Sequence, residues 1–296
     1  MPVIQTSNLT KLYGTRTGVA ALTLEVPKGQ IFGFLGPNGA GKTTTIRMLL
    51  GLLKASTGQA QVLGLDCWQA SHRIKAQLGY VPGDLRLYTW MTLTRALWIV
   101  SRVRGCDLTE SGAKLAAQFQ LEPDVPVRKM SRGMKQKLGL ILAMAHEPQL
   151  LILDEPTTAL DPLMQYVLYQ ELRRRAGEGA TIFFSSHTLS EVESLCDRVA
   201  IIREGALVED ATLGELRASA PRQVVIDWAD RDTCMRQSAP DCLKINQREH
   251  RRWKATLVGE PRNLLKWGAE QPLDDLTIGA PDLETLFRRY YETGES

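Results

Sequence analysis

Residues 31–43 read Ile31-Phe32-Gly33-Phe34-Leu35-Gly36-Pro37-Asn38-Gly39-Ala40-Gly41-Lys42-Thr43, and their order dictates a local structure. Ile31 to Leu35 is a short continuous apolar run, as expected of a strand buried on both faces. From Gly36 to Thr43 the chain fits G-x-x-x-x-G-K-[ST], and Thr43 to Leu53 then has the apolar spacing of a helix. Gly39 and Gly41 let the backbone curl until several N–H groups converge. The helix opening near Lys42 adds its positive end. The product is a cradle for phosphate oxygens, in which the Lys42 ammonium reaches β- and γ-phosphates and the Thr43 hydroxyl ligates Mg²⁺. A glycine turn that merely contains a lysine is the plainer reading. A full match between a strand and a helix sets it aside.

Leu150-Leu151-Ile152-Leu153-Asp154-Glu155 is a second apolar strand, ending in two carboxylates. Alternation along a strand points neighbours to opposite sides, which predicts different tasks for the two acids. Asp154 is the candidate to hold Mg²⁺ through water and Glu155 the candidate general base toward an attacking water. Alone, two acids at a strand end read as solvated charges; beside the phosphate cradle they read as the working half of a nucleotide triphosphatase.

Outward from these motifs the pattern is of strands alternating with helices. Strands are expected at Val3 to Leu9 and Ala20 to Val26, with Gly14 and Gly18 turning the chain between them. Thr181 to Phe184 and Val199 to Arg203 are further strands, with helices Pro162 to Arg175 and Ser190 to Leu195. Helical spacing dominates from Leu85 to about Ala145. The fold class is therefore α/β, a parallel sheet covered on both faces with a helical insertion over about 85–145. Beyond Ala218-Ser219-Ala220-Pro221 a second unit begins. Its expected order is β-α-β-β-α-β, a small α+β domain of ferredoxin-like type over 221–296.

Composition narrows the class. The 296 residues carry 36 Lys+Arg against 33 Asp+Glu, a net charge of +3 without a dense basic block, so no nucleic-acid partner is expected. The longest apolar runs, such as Leu138 to Ala145, fall far short of the ~18 residues that cross a bilayer, and the N-terminus lacks the pattern of an export signal. Cys67, Cys106, Cys196, Cys234 and Cys242 are scattered and form no C-x-x-C pair, which fits thiols in a reducing cytoplasm. A membrane role then needs a partner chain.

Five ordered motifs resemble those of ABC transporter ATPases across roughly residues 3–216. Met130-Ser131-Arg132-Gly133-Met134-Lys135-Gln136-Lys137 is similar to the family's signature, usually written L-S-G-G-Q. Thr157-Thr158-Ala159-Leu160-Asp161-Pro162 resembles its D-loop, Ser185-Ser186-His187 its switch histidine, and Tyr13 its adenine-stacking aromatic. The resemblance implies an ABC cassette over 1–217, with a parallel core sheet, an antiparallel β subdomain and a helical insertion. ATP is implied as substrate, held by Tyr13, by Gly36-Pro37-Asn38-Gly39-Ala40-Gly41-Lys42-Thr43 and by Thr44. Thr43 and Asp154 are implied for Mg²⁺, and Lys42, Glu155 and His187 for catalysis. Ser131, Arg132 and Gly133 would touch the nucleotide of a second subunit. Simpler readings stand beside these: Ser131 and Asp161 are natural helix caps, and a lone histidine or strand-end tyrosine is ordinary structure.

Two departures from the family pattern stand out. In Leu78-Gly79-Tyr80-Val81-Pro82-Gly83-Asp84, Gly83 occupies the place of the Q-loop glutamine, and Asp84 or water is the expected replacement. The signature carries Arg132 and Met134 where glycine and glutamine are usual. The resemblance further implies a homo- or heterodimer of cassettes and a separate permease on the cytoplasmic face of the membrane. That permease would dock beside Asp84, Leu85, Arg86, Tyr88 and Trp90, although Tyr88 and Trp90 read equally well as core. Export of a multidrug, antibiotic, ion or lipid class is implied by analogy. The alternative is an ABC-type ATPase with a regulatory role outside transport. The second domain would extend the dimer contact, sense a regulator or only stabilise.

Overall fold

The computed structural model describes residues 2–292, and they divide into two compact units, one running up to Ala211 and the other starting at Thr212. In the first, β1 (Ile4–Tyr13), β2 (Arg16–Val26), β3 (Ile31–Leu35) and α1 (Lys42–Leu49) lead into β4 (Thr57–Val62), β5 (Leu65–Asp66), α2 (Ser71–Gln77) and β6 (Leu78–Val81). Three helices follow, α3 (Leu93–Arg104), α4 (Thr109–Gln118) and α5 (Arg132–Met144). The chain then returns through β7 (Leu150–Asp154), α6 (Pro162–Gly177), β8 (Thr181–Ser186), α7 (Leu189–Leu195), β9 (Arg198–Arg203) and β10 (Ala206–Thr212).

Two sheets share one core. Strands β2-β1-β4-β5 form an antiparallel sheet, and β10-β9-β3-β8-β7-β6 form the larger one, whose five strands from β9 to β6 run parallel. β3 and β7 are buried at every position, as the apolar runs require. Phe183 of β8 stacks on Phe32 and tilts against Phe34, with centroids 5.9 and 5.2 Å apart, and this aromatic wedge packs among Ile4, Leu22, Leu24 and Val62 of the antiparallel sheet. Glu204 and Gly205, both left-handed, make the two-residue hairpin that adds β10 to the edge.

The carboxyl ends of β3, β6, β7 and β8 come together at one edge of the parallel sheet, where open α/β sheets bind ligands. Several local readings need revision. The β1–β2 turn is at Gly14, and Gly18 lies within β2. Strands β4, β5 and β10 and helix α2 bury too few residues to give an apolar periodic signal. The signature helix ends at Met144, within one residue of the end expected for the helical stretch. No helix among the described residues is long and apolar enough to cross a membrane. Cys67, Cys196 and Cys234 are buried free thiols, whereas Cys106 is exposed.

The second unit starts with α8 (Leu213–Ser219), capped by a reciprocal Thr212–Glu215 box, so this helix groups with the smaller unit. Then come β11 (Arg222–Trp228), α9 (Arg231–Arg236), β12 (Leu243–Glu249), β13 (Arg252–Leu257), α10 (Pro261–Ala269), β14 (Leu273–Pro281) and α11 (Leu283–Glu292). The strands lie in the order β12-β13-β11-β14, antiparallel throughout, which is the connectivity of a split β-α-β unit. Trp228, Trp253 and Trp267 cluster at its core, with the first two ring centroids 4.7 Å apart.

Candidate nucleotide site

The loop from Gly36 to Gly41 is held by close backbone packing. A Cβ at Gly36 would sit 2.3 Å from the Ile202 carbonyl oxygen, and Gly41, with φ +104°, would place one 2.6 Å from the Gly18 carbonyl. Neither position admits a side chain. The Lys42 side chain is only 5% exposed and curls over the loop, donating to the Gly36 carbonyl at 2.7 Å and the Pro37 carbonyl at 3.1 Å. Its Nζ also lies 3.2 Å from Glu155 Oε1. The other Glu155 oxygen, Oε2, is 3.2 Å from His187 Nδ1, so one carboxylate links a lysine on α1 to a histidine beyond β8.

Asp154 and Glu155 do have different partners, but strand alternation is not the cause. β7 ends at Asp154, and Glu155 turns away with φ +50°. Ser185 fixes both acids. Its hydroxyl donates to Asp154 Oδ1 at 2.7 Å, while its Oγ accepts the Glu155 N–H at 3.2 Å. Thr43 Oγ1 donates to Asp154 Oδ2 at 2.9 Å. A hydroxyl and a carboxylate facing each other this closely are hard oxygen donors of the kind that suit Mg²⁺, and Thr43 and Asp154 would hold it. Ser185 was visible in the sequence only as a neighbour of His187; a hydroxyl at the end of an otherwise apolar strand is the signal that marks it.

A cavity of about 420 Å³ brings together Tyr13, Asn38, Gly39, Gly41, Lys42, Thr43, Thr44 and Glu155, with Arg16, Thr17 and Gly18 completing its wall. Tyr13 is half-exposed at the rim. A Cβ at Gly18 would come within 2.7 Å of its ring, so that glycine lets the aromatic lie down over β2. Lys11 Nζ sits 5.5 Å from the ring centroid. Adjacent to this cavity, a second of about 540 Å³ is lined by Thr43, Arg47, Tyr80, Gly83, Asp84, Arg86, Asp154 and Glu155. Asp84 reaches it, but its carboxylate is paired with Arg86 at 2.9 Å and is 74% exposed. Burial, and then the charge of Asp154, push the Tyr80 phenol up to about 12, so it remains a hydroxyl donor at neutral pH.

The remaining sequence candidates lie outside these two cavities. Ser131 caps α5, its Oγ accepting the Met134 N–H at 3.2 Å, and is exposed with Arg132. Gly133 lies so close to Ala159 that a Cβ would be 2.8 Å from that carbonyl, and Gln136 Nε2 donates to the Pro156 carbonyl at 3.0 Å. The signature helix is thus docked on the loop that precedes Asp161. Asp161 caps α6, accepting the Met164 N–H at 2.9 Å with Pro162 next in sequence. Tyr88 and Trp90 are not core: they stack at 5.8 Å and are 68% and 46% exposed. A recess of about 670 Å³ between α4 and α6 contains none of the triphosphate-binding elements.

A sequence model of the family described as ABC transporter matches residues 19–158. The bacitracin transport ATP-binding protein BcrA of Bacillus licheniformis is 38% identical over 236 residues, covering 78% of this chain and 76% of that protein. The Nod factor export ATP-binding protein I of Ralstonia nicotianae is 35% identical, covering 73% and 68% respectively. Among solved structures, an ATP binding subunit of an ABC transporter aligns with a TM-score of 0.69 at 28% identity, covering 73% of this chain and 92% of that one. A dimeric ATP-binding cassette in a post-hydrolysis state with ADP and Pi shares the fold, with a TM-score of 0.63 at 18% identity, over 71% of this chain and 98% of that one.

Proposed function

The chain belongs to the ABC transporter family as an ATP-hydrolysing cassette, and we propose that it powers a separate membrane permease for export. Two cassettes, identical or paired with a second kind, close around ATP, with Ser131, Arg132 and Gly133 of one copy facing the phosphates bound by Lys42 of the other. The observation that carries the reading is the Lys42–Glu155 contact at 3.2 Å, with Glu155 also facing His187. It gathers a phosphate-binding cation, a general base and a histidine at one strand edge.

The chemistry follows from what each group holds now. An arriving triphosphate offers Lys42 better acceptors than two carbonyls, so the ammonium moves to phosphate oxygens and frees Glu155 Oε1. Glu155 then accepts a proton from the attacking water, while His187 keeps the carboxylate oriented. Mg²⁺ held at Thr43 and Asp154 would neutralise charge on the β- and γ-phosphates. The exposed Tyr88–Trp90 pair supports docking of an amphipathic helix from the permease beside Asp84, Leu85 and Arg86; the proposed location is the cytoplasmic face of the membrane, peripheral through that permease. The proposed cargo is of the multidrug, antibiotic, ion or lipid class, and the bacitracin transport and Nod factor export in the names of two relatives support export of a small molecule.

The test has two arms. The purified chain should hydrolyse ATP, and a tagged copy extracted in mild detergent should retain a multi-spanning membrane protein whose binding is lost in a Tyr88→Ala/Trp90→Ala double variant. ATPase activity with no membrane partner under these conditions would remove transport from the proposal.

A further inference from the structure

Gly83 is a glycine that nothing in the backbone requires. Its φ is not left-handed, and a Cβ there would meet the Asp154 carbonyl oxygen at 3.4 Å and Oδ2 at 3.6 Å, ordinary contact distances. The room that a side chain would take is instead part of the 540 Å³ cavity beside Thr43, Asp154 and Glu155. Also beside β6 lies a mainly apolar groove of about 370 Å³, lined by Leu50, Leu85, Leu87, Val100 and Leu142 among others. Tyr80 is the one residue that lines both.

Its placement is rigid. Neighbouring Gly79 is pressed so tightly on α5 that a Cβ would fall 2.1 Å from the Ala143 carbonyl. Tyr80 itself pairs with Ile152 in the strand that delivers Asp154. Asp84, the other polar candidate, has its carboxylate engaged by Arg86. No protein hydrogen bond to the Tyr80 hydroxyl is present among the described residues, so that group is free for solvent or substrate in the cavity. A hydroxyl on a rigid strand, within a charged cavity and backed by an apolar groove, has the properties of a positioning group.

We propose that Tyr80 is the positioning residue that takes over from the missing side chain at Gly83: its hydroxyl orders the water around Asp154 and Glu155, and its ring transmits the filling of that cavity to the apolar groove. The inference rests on the ATPase reading above. It concerns how hydrolysis is tuned and sensed, not whether ATP is the substrate.

Tyr80→Phe keeps the ring and its packing and deletes only the hydroxyl. Loss of one hydrogen bond in such a network predicts a fall in kcat of about three- to tenfold with KM for ATP little changed. The Mn²⁺ affinity of the ATP complex, followed by electron paramagnetic resonance without turnover, should weaken by a similar factor. Hydrogen exchange at Leu85 to Leu87 should slow on addition of ATP and Mg²⁺ in the wild type and not in Tyr80→Phe. Gly83→Gln in the Tyr80→Phe background should restore Mn²⁺ affinity. Wild-type kcat and Mn²⁺ affinity in Tyr80→Phe would overturn the proposal, as would an unaltered exchange response or the same Mn²⁺ defect arising from Asp84→Ala alone. A wild-type chain that binds no ATP would instead sink the parent reading, so the two failures are distinct.

Discussion

Glu155→Gln is expected to lower steady-state ATP turnover by about 10²- to 10⁴-fold, the range that a positioned general base contributes. The substitution is close to isosteric, and both contacts survive in kind. An amide oxygen still accepts from Lys42 Nζ, and an amide nitrogen still donates to His187 Nδ1, the groups now 3.2 Å from the two Glu155 oxygens. What disappears is basicity. The amide cannot take the proton of the attacking water, and it no longer sets a negative charge beside the entering phosphates. ATP should therefore bind as tightly as in the wild type or more tightly, while hydrolysis stalls. Lys42→Ala is the contrasting case, because it removes the cation that the phosphates bind and should weaken ATP affinity itself. Titration with a fluorescent nucleotide together with single-turnover kinetics separates the two variants. A Glu155→Gln enzyme within tenfold of wild-type kcat would transfer the role of base to another group.

Residues that share a local pattern were legible in the sequence, and residues that meet only across strands were not. The phosphate loop is contiguous from Gly36 to Thr43, so its geometry follows from glycine placement alone, as does the buried character of β3 and β7. Ser131 and Asp161 are helix caps in the structure, and a cap is a local property that the sequence spells out. Ser185, by contrast, matters because β8 lies beside β7 in parallel register, opposing Asp154 to Ser185. No periodicity within either strand reveals that neighbour. Tyr80 is a similar case: its role depends on β6 being the edge strand next to β7 and on α5 packing behind it, both products of the crossover topology. Alternation along the strand does not separate Asp154 from Glu155: their partners differ because a left-handed residue at a strand end overrides the pleat.

A second large effect is expected far from the nucleotide, at the recess between α4 and α6. Glu171 is 3% exposed and is gripped by Arg175 Nε at 2.6 Å and Arg174 Nη2 at 2.8 Å, and Arg175 is itself almost fully buried. Gln118 of α4 also donates to Glu171, at 3.5 Å. Glu171→Ala would leave the Arg175 guanidinium in the interior without its counter-charge, which costs about 3–5 kcal/mol. For a unit of this size that is a fall in Tm of roughly 6–20 °C. Glu178→Ala, which removes the exposed partner of the same Arg174, should cost about 1 kcal/mol or less. Acid adds a second signature. Burial pushes the Glu171 carboxyl up, but hydrogen bonds and charge from Arg174 and Arg175 outweigh it and hold it below its ordinary 4.5. Its contribution is therefore complete above pH 4.5 and is lost as pH falls through the folded value. His146 works in a higher window: burial, and then Arg104, push it down to about 4, so protonation of the unfolded chain erodes stability from about pH 6.5 downward. Thermal melts across pH 3–7 should show His146→Gln flattening the upper part of that decline and Glu171→Ala the lower. A Glu171→Ala protein melting within about 2 °C of wild type at pH 7 would mean that solvent or a shifted α6 neutralises Arg175, and that the recess is not a fixed joint.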